Sequence, residues 1–125
     1  MDENALSKVI IGTAIEVHRL FGPGLLESVY EECLAYELNQ QQIPFERQKP
    51  IPVAYKDIHL DCGFRVDLLV DNLVIVELKA IEKLAPIHDA QVLTYLRLTQ
   101  CKLGLLLNFN MLRLRDGIKR LVLNL

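Results

Sequence analysis

Apolar positions in the first third of the chain recur at helical spacing. Leu6, Val9, Ile10, Thr13, Ala14, Val17 and Leu20 fall three or four apart and predict one amphipathic helix. Gly22-Pro23-Gly24 ends it, because proline removes a donor and both glycines favour turn conformations. A second helix follows, with Leu26, Val29, Tyr30, Cys33, Leu34 and Leu38 as its inward stripe and Asn39 to Gln42 fraying its end. From Ile43 the pattern changes. Pro44, Pro50 and Pro52 punctuate an extended run from Phe45 to Tyr55, and proline suits edge strands. Lys56-Asp57 predicts a turn, His59 to Val70 a strand, and Asp71-Asn72 a second turn. Leu73 to Lys79 is then almost continuously apolar, as in a central strand covered on both faces. Ala85 to Cys101 predicts a third helix, Leu103 to Phe109 a buried strand and Ile118 to Leu123 a shorter one. The order α-α-β-β-β-α-β-β predicts an α/β (mixed α+β) fold, a central mixed sheet flanked by helices. With no repeat or linker, residues 1–125 read as one domain.

Composition narrows the setting. An apolar fraction of 51% is too high for a disordered tail, and no window approaches the roughly 20 uncharged residues that span a bilayer. The acidic start Met1-Asp2-Glu3-Asn4 argues against a secretory signal or transit peptide. Three scattered cysteines, Cys33, Cys62 and Cys101, argue against a disulfide framework, so a reducing, cytoplasmic location is expected, with no membrane partner. The net charge of −2 divides unevenly: residues 1–62 carry −5 and residues 63–125 carry +3. A polyanion would therefore meet the C-terminal half, around Arg97, Lys102, Arg113, Arg115, Lys119 and Arg120, unless these six form only a solvated surface.

The richest chemistry lies in Phe64 to Lys79. Glu77 and Lys79 share one face of a strand while Leu78 points the other way. Ionisable groups ending an apolar strand are costly unless paired or bound. A plain Glu77–Lys79 ion pair is one reading. Asp67 on the preceding strand supplies another: if it faces Glu77, two carboxylates repel unless a proton or cation intervenes, and Mg²⁺ suits such an oxygen pair. This sets a register condition. A plain two-residue hairpin at Asp71-Asn72 pairs Asp67 with Val76 and puts it on the wrong face, so the site requires a three-residue loop, Asp71-Asn72-Leu73, or a bulge.

Asp67…Glu77-Leu78-Lys79 resembles the Asp…(Asp/Glu)-x-Lys signature of the PD-(D/E)xK nuclease superfamily. Gly24-Leu25-Leu26-Glu27-Ser28-Val29-Tyr30 is similar to the motif of its GxxExxY family. The resemblance runs from Ile11 to Arg120 and includes Gly63 to Leu68, Glu77 to Ala80, and Asn108-Phe109. Gln91 and Tyr95, four apart on the third helix, resemble the extra motif of the RecB-type exonuclease branch, and His88 shares their face as a helix-start or supporting residue. The resemblance implies a restriction-endonuclease-like core and metal-assisted hydrolysis of phosphodiester bonds in nucleic acid, DNA ahead of RNA. It implies Mg²⁺ or Mn²⁺ held by Asp67, Glu77, Glu27 and the backbone carbonyl of Leu78, with Lys79 orienting water or stabilising the developing charge. Gln91, Tyr95 and Tyr30 are expected to position substrate. Glu27 also has a plain reading as a first-turn carboxylate favoured by the helix dipole, and Tyr95 one as a core aromatic.

Other chemistries find little support. The sequence has no Gly-x-x-x-x-Gly-Lys-Ser/Thr loop, no Gly-x-Ser-x-Gly elbow and no His-Glu-x-x-His. Zinc drawn from His59, Cys62, Cys33 and Cys101 lacks any Cys-x-x-Cys pair. The rival is a catalytically silent nuclease-fold module that binds nucleic acid or a protein partner. A bare core of this size offers little surface to grip a substrate, which leaves room for a homodimer or protein partner to supply the rest.

Overall fold

The first helix, α1 (Glu3–Phe21), starts where the Asp2 carboxylate accepts the Ala5 N–H at 2.8 Å, satisfying one of the open donors of a helix start. It ends at Gly22, whose φ of 66° lies in the left-handed region glycine enters without strain. The inward face of α2 (Glu27–Gln40) is Tyr30, Leu34 and Leu38, joined by Glu31 and Ala35. Leu26 and Val29, expected in that stripe, are exposed: Leu26 caps the helix from outside it, and Val29 lies beside rather than on the inward line Tyr30-Leu34-Leu38. The computed structural model describes residues 1–61 and 63–125.

The two long strands expected next are each divided. Phe45–Tyr55 forms β1 (Phe45–Pro50) and β2 (Val53–Tyr55); the following stretch forms β3 (Ile58–Leu60) and β4 (Arg65–Val70). Pro52 has no N–H to continue the ladder, and the Ile51 N–H is taken by the Phe64 carbonyl at 2.8 Å, closing the β1–β4 pair. Beyond that point β2 and β3 pair only with each other, as a separate two-stranded ribbon. The chain continues through β5 (Val74–Lys79), α3 (Pro86–Thr99), β6 (Leu103–Asn108), a short 3₁₀ turn at Leu114–Gly117, and β7 (Ile118–Val122). The main sheet has the order β1-β4-β5-β6-β7, with β5 and β6 parallel and the other neighbours antiparallel. A mixed sheet flanked by helices is thus present, with two more strands than the sequence pattern predicts.

Helices cover both sheet faces. Leu6, Ile10, Leu34 and Leu38 of α1 and α2 pack on Val70, Val76 and Leu105, while Val92 and Leu96 of α3 pack on Ile75 and Leu106. Each such fully buried side chain contributes about 1.5–3 kcal/mol. Gly104 sets the close approach of α3: a Cβ there would lie 2.6 Å from Val92 Cγ1. Among the described residues, no helix is long and apolar enough to cross a membrane.

One turn decides the register of the site strands. Asp71 (φ 51°) and Asn72 (φ 55°) are both left-handed, and the Leu73 N–H donates to the Val70 carbonyl at 2.9 Å, the pattern of a tight hairpin turn. Leu73 is then one residue too many, so Val70 pairs with Val74, Leu69 with Ile75 and Leu68 with Val76. The odd offset that the site requires is therefore present.

Candidate active site

One step beyond Leu68↔Val76, Asp67 comes opposite Glu77, and the ladder changes character. The Asp67 N–H donates to Glu77 Oε1 at 2.9 Å, and the Leu78 N–H donates to Asp67 Oδ2 at 2.8 Å. Side-chain carboxylates replace backbone carbonyls as acceptors, and the strands part. Meanwhile β5 stays paired to β6 through Lys79↔Asn108 and the Phe109 N–H to Lys79 carbonyl bond at 2.8 Å. Since that carbonyl faces β6, the preceding carbonyl of Leu78 faces the opened β4 side.

Glu77 is 7% exposed. Burial, and then the negative charge of Asp67, push its carboxyl up to about 8, although the Asp67 N–H and the Lys79 ammonium oppose this. Near neutral pH Glu77 therefore holds its proton in the metal-free protein. Tyr95 borders the pair: its hydroxyl is pushed up by burial and by the charges of Glu77 and Asp67. Its ring meets Phe64 edge-on at 6.2 Å.

The other expected residues are distributed as follows. Glu27 does not converge with Asp67 and Glu77 as a third ligand; its Oε2 accepts the Ala80 N–H at 3.3 Å, just past the end of β5. It shares with Asp67 and Leu78 a cavity of about 370 Å³, also lined by Ser28, Glu31 and Gln48. Among the described residues, no group of three or more His, Cys, Asp and Glu side chains is arranged to hold a metal ion. Gln91 is exposed on α3, one turn before Tyr95. His88 accepts the Ala85 N–H through Nδ1 at 2.8 Å, a helix-start role. Tyr30 cannot position a substrate. It is fully buried, stacked on Phe109 with centroids 4.4 Å apart, and its hydroxyl donates to the Gly22 carbonyl at 2.5 Å while accepting the Leu25 N–H. With Gly24 at φ 106°, this makes Tyr30 the staple of the α1–α2 turn.

Sequence reasoning missed a second polar group beside Asp67. Glu31, 7% exposed, accepts two bonds on Oε2 from Arg47, from Nε at 3.1 Å and Nη2 at 2.8 Å. Hydrogen bonds to Glu32 and Glu31 push Arg47 above its ordinary range. Gln48 Nε2 donates to Glu31 Oε1 at 2.7 Å and to Asp67 Oδ1 at 3.2 Å. The only signal in the sequence is that Glu31 lies four residues after Glu27, on the same helix face. Asn108, which the sequence reading named only as part of the resemblance, holds the exit of β5: its Oδ1 accepts the Ile81 N–H at 3.1 Å and its Nδ2 donates to the Ile81 carbonyl at 3.0 Å.

The six basic residues expected to meet a polyanion are exposed but do not form one track. Lys102 precedes Leu103, which pairs with Val74 at the far end of β5, roughly 17 Å from Lys79 at strand rise. Arg113, Arg115 and Lys119 lie nearer the Lys79 end, and Lys119 is paired with Asp89 at 2.6 Å. Cys33 and Cys101 are free thiols on separate elements, and Cys62 lies outside the described residues.

The donor set fits a hydrated divalent cation. Two crowded carboxylates, one buried and short of compensating charge, plus a carbonyl, match an ion that keeps several waters better than one caged by protein. Neither the curated proteins nor the solved structures compared with the chain contain a match. The family model of the PD-(D/E)XK nuclease superfamily matches residues 4–121, nearly the whole described fold, and a restriction-endonuclease-like architecture agrees with the central mixed sheet and helices α1, α2 and α3. The chain belongs to the PD-(D/E)XK nuclease superfamily.

Proposed function

We propose that this protein is a single-domain, cytoplasmic, divalent-metal-dependent nuclease that hydrolyses phosphodiester bonds, with DNA favoured over RNA. The observation that carries this reading is the Asp67–Glu77 pair at the opened end of β5, with Lys79 following on the same strand. Asp67, Glu77 and the Leu78 carbonyl hold Mg²⁺ or Mn²⁺, which neutralises charge on the phosphate and makes water a stronger nucleophile. Lys79, on the Glu77 side of the strand, orients the attacking water and stabilises the developing negative charge. Glu27, across the cavity, acts through water. Tyr95, beside the carboxylates, and Gln91, on the same helix face, align the substrate. Arg113 and Arg115 meet flanking phosphates, which makes binding salt-sensitive. A second copy or a protein partner extends the gripping surface.

The test is cleavage of single- and double-stranded DNA and of RNA with Mg²⁺ or Mn²⁺, with and without chelator, by wild type and Lys79→Ala. Metal-dependent cleavage lost in the variant supports the reading. One observation favours a catalytically silent binding module instead: Glu27 is turned to the Ala80 N–H rather than to the carboxylate pair. That alternative expects no metal-dependent cleavage and unchanged partner affinity in Lys79→Ala.

A further inference from the structure

Arg47 and Gln48 are consecutive in a β-strand, yet both bond the same carboxylate, that of Glu31. Regular alternation forbids this, because neighbouring strand residues point to opposite faces. The break is at Gln48, which has a φ of 50° inside β1. A non-glycine residue is left-handed within a strand only where its surroundings over-determine it, and such strain gathers at functional sites. The partner strand is turned at the same level. Val66 packs in the α3-side core and Leu68 in the α1/α2-side core, although they are two residues apart and should share a face. Between them lies Asp67, which falls by count opposite Gln48, between the pairs Arg47↔Leu68 and Lys49↔Val66.

The local twist gives Gln48 its reach. Both acceptors of its side-chain amide are carboxylate oxygens, so the NH₂ group must be the end that faces them. Glu31 is the fixed end of this bridge, buried and gripped by the Arg47 guanidinium. Asp67 is the adjustable end. Gln48 takes Oδ1 and the Leu78 N–H takes Oδ2, which stops rotation of the carboxylate while leaving further lone pairs on each oxygen.

We propose that Gln48 is a positioning residue: anchored through Glu31 to Arg47, it holds the Asp67 carboxylate in the orientation that receives a divalent cation. This deepens the metal-dependent reading of Asp67 and rests on it for the cation alone. The left-handed backbone at Gln48 is part of the device.

The test uses Gln48→Asn, which tolerates the same backbone but is one methylene too short to bridge, and Gln48→Gly, which removes both strain and amide. Amide hydrogen exchange in the metal-free protein reads the positioning directly, since the Leu78 N–H is protected by Asp67 Oδ2. In both variants Leu78 exchange should accelerate about tenfold while Ile75 and Leu105 stay unchanged. The dissociation constant for Mn²⁺ by calorimetry should rise about tenfold, as for other groups that orient a ligand. Unchanged Leu78 exchange overturns the proposal, and so does a uniform acceleration across the sheet, which would mark Gln48 as merely structural. If wild type binds no Mn²⁺ while Leu78 alone accelerates in the variants, the link from Gln48 to Asp67 stands and the metal reading beneath it falls.

Discussion

Asp67 and Glu77 stand across from each other where β4 and β5 separate. The amide of Asp67 is bound by the Glu77 carboxylate, and the Asp67 carboxylate binds the amide that follows Glu77. The pair thus knits the opened strands together while concentrating negative charge. An unfolded chain ionises Glu77 near pH 4.5, but the folded one retains its proton to about 8. Across that window the native state binds more protons, so the stability from this group is full below pH 4.5 and is lost as pH rises towards 8. Thermal melting of the metal-free protein should fall from pH 5 to 8, with a slope contributed by Glu77 of up to about 1.4 kcal/mol per pH unit.

Glu77→Gln keeps an oxygen for the Asp67 N–H and offers an N–H₂ to the Asp67 carboxylate. It should flatten that pH profile and raise the melting temperature at pH 8, while lowering metal-dependent cleavage at least about a hundredfold. Differential scanning calorimetry and a plasmid or oligonucleotide cleavage assay read the two effects separately.

Lys79 is half-buried and makes no ion pair among the described residues. Lys79→Met keeps most of its apolar stem. Urea unfolding should shift by no more than about 0.5 kcal/mol, whereas turnover should fall by about 10²–10³ with little change in substrate affinity.

Tyr30→Phe removes a hydroxyl that satisfies both the Gly22 carbonyl and the Leu25 N–H. Stability should fall by about 1–3 kcal/mol in denaturant titration. Because Tyr30 is fully buried and its hydroxyl bonds only the α1–α2 turn among the described residues, cleavage below the melting range should stay within twofold, about 0.4 kcal/mol.

Gly104→Ala drives a methyl group into Val92. Overpacking of that kind costs about 1–3 kcal/mol. A crystal structure of the variant should find α3 displaced from β6, with Tyr95 moved relative to Glu77.

The helices and the buried strands β5 and β6 were legible because each leaves a periodic signal in the sequence, whereas the odd loop Asp71-Asn72-Leu73 followed only from the requirement that Asp67 face Glu77. The division of the two long strands was less legible: it depends on where Ile51 and Phe64 meet, a pairing of residues far apart in the chain. Asp67 and Glu77 were legible as a pair only under the register condition and through the resemblance of Asp67…Glu77-Leu78-Lys79 to a known signature. Tyr30 was misread, because a tyrosine three residues after Glu27 looks the same whether its hydroxyl faces a substrate or a loop carbonyl. The Arg47–Glu31–Gln48 group left almost no trace, since bringing Arg47 and Gln48 to one carboxylate takes a backbone irregularity that no alternation pattern encodes.

Leu73 gives the hairpin tip an unusual status. Most surface loops tolerate gain or loss of a residue, because only their length changes. Here removal of one residue would either reverse the sides that Asp67 and Glu77 present to each other or slide β5 along β6 and break Lys79↔Asn108. Drift at this exposed corner is therefore free in side-chain identity, within the demands of two left-handed residues, and closed to insertions and deletions. A solvent-facing bend some distance from the chemistry is as constrained in count as the acids are in kind.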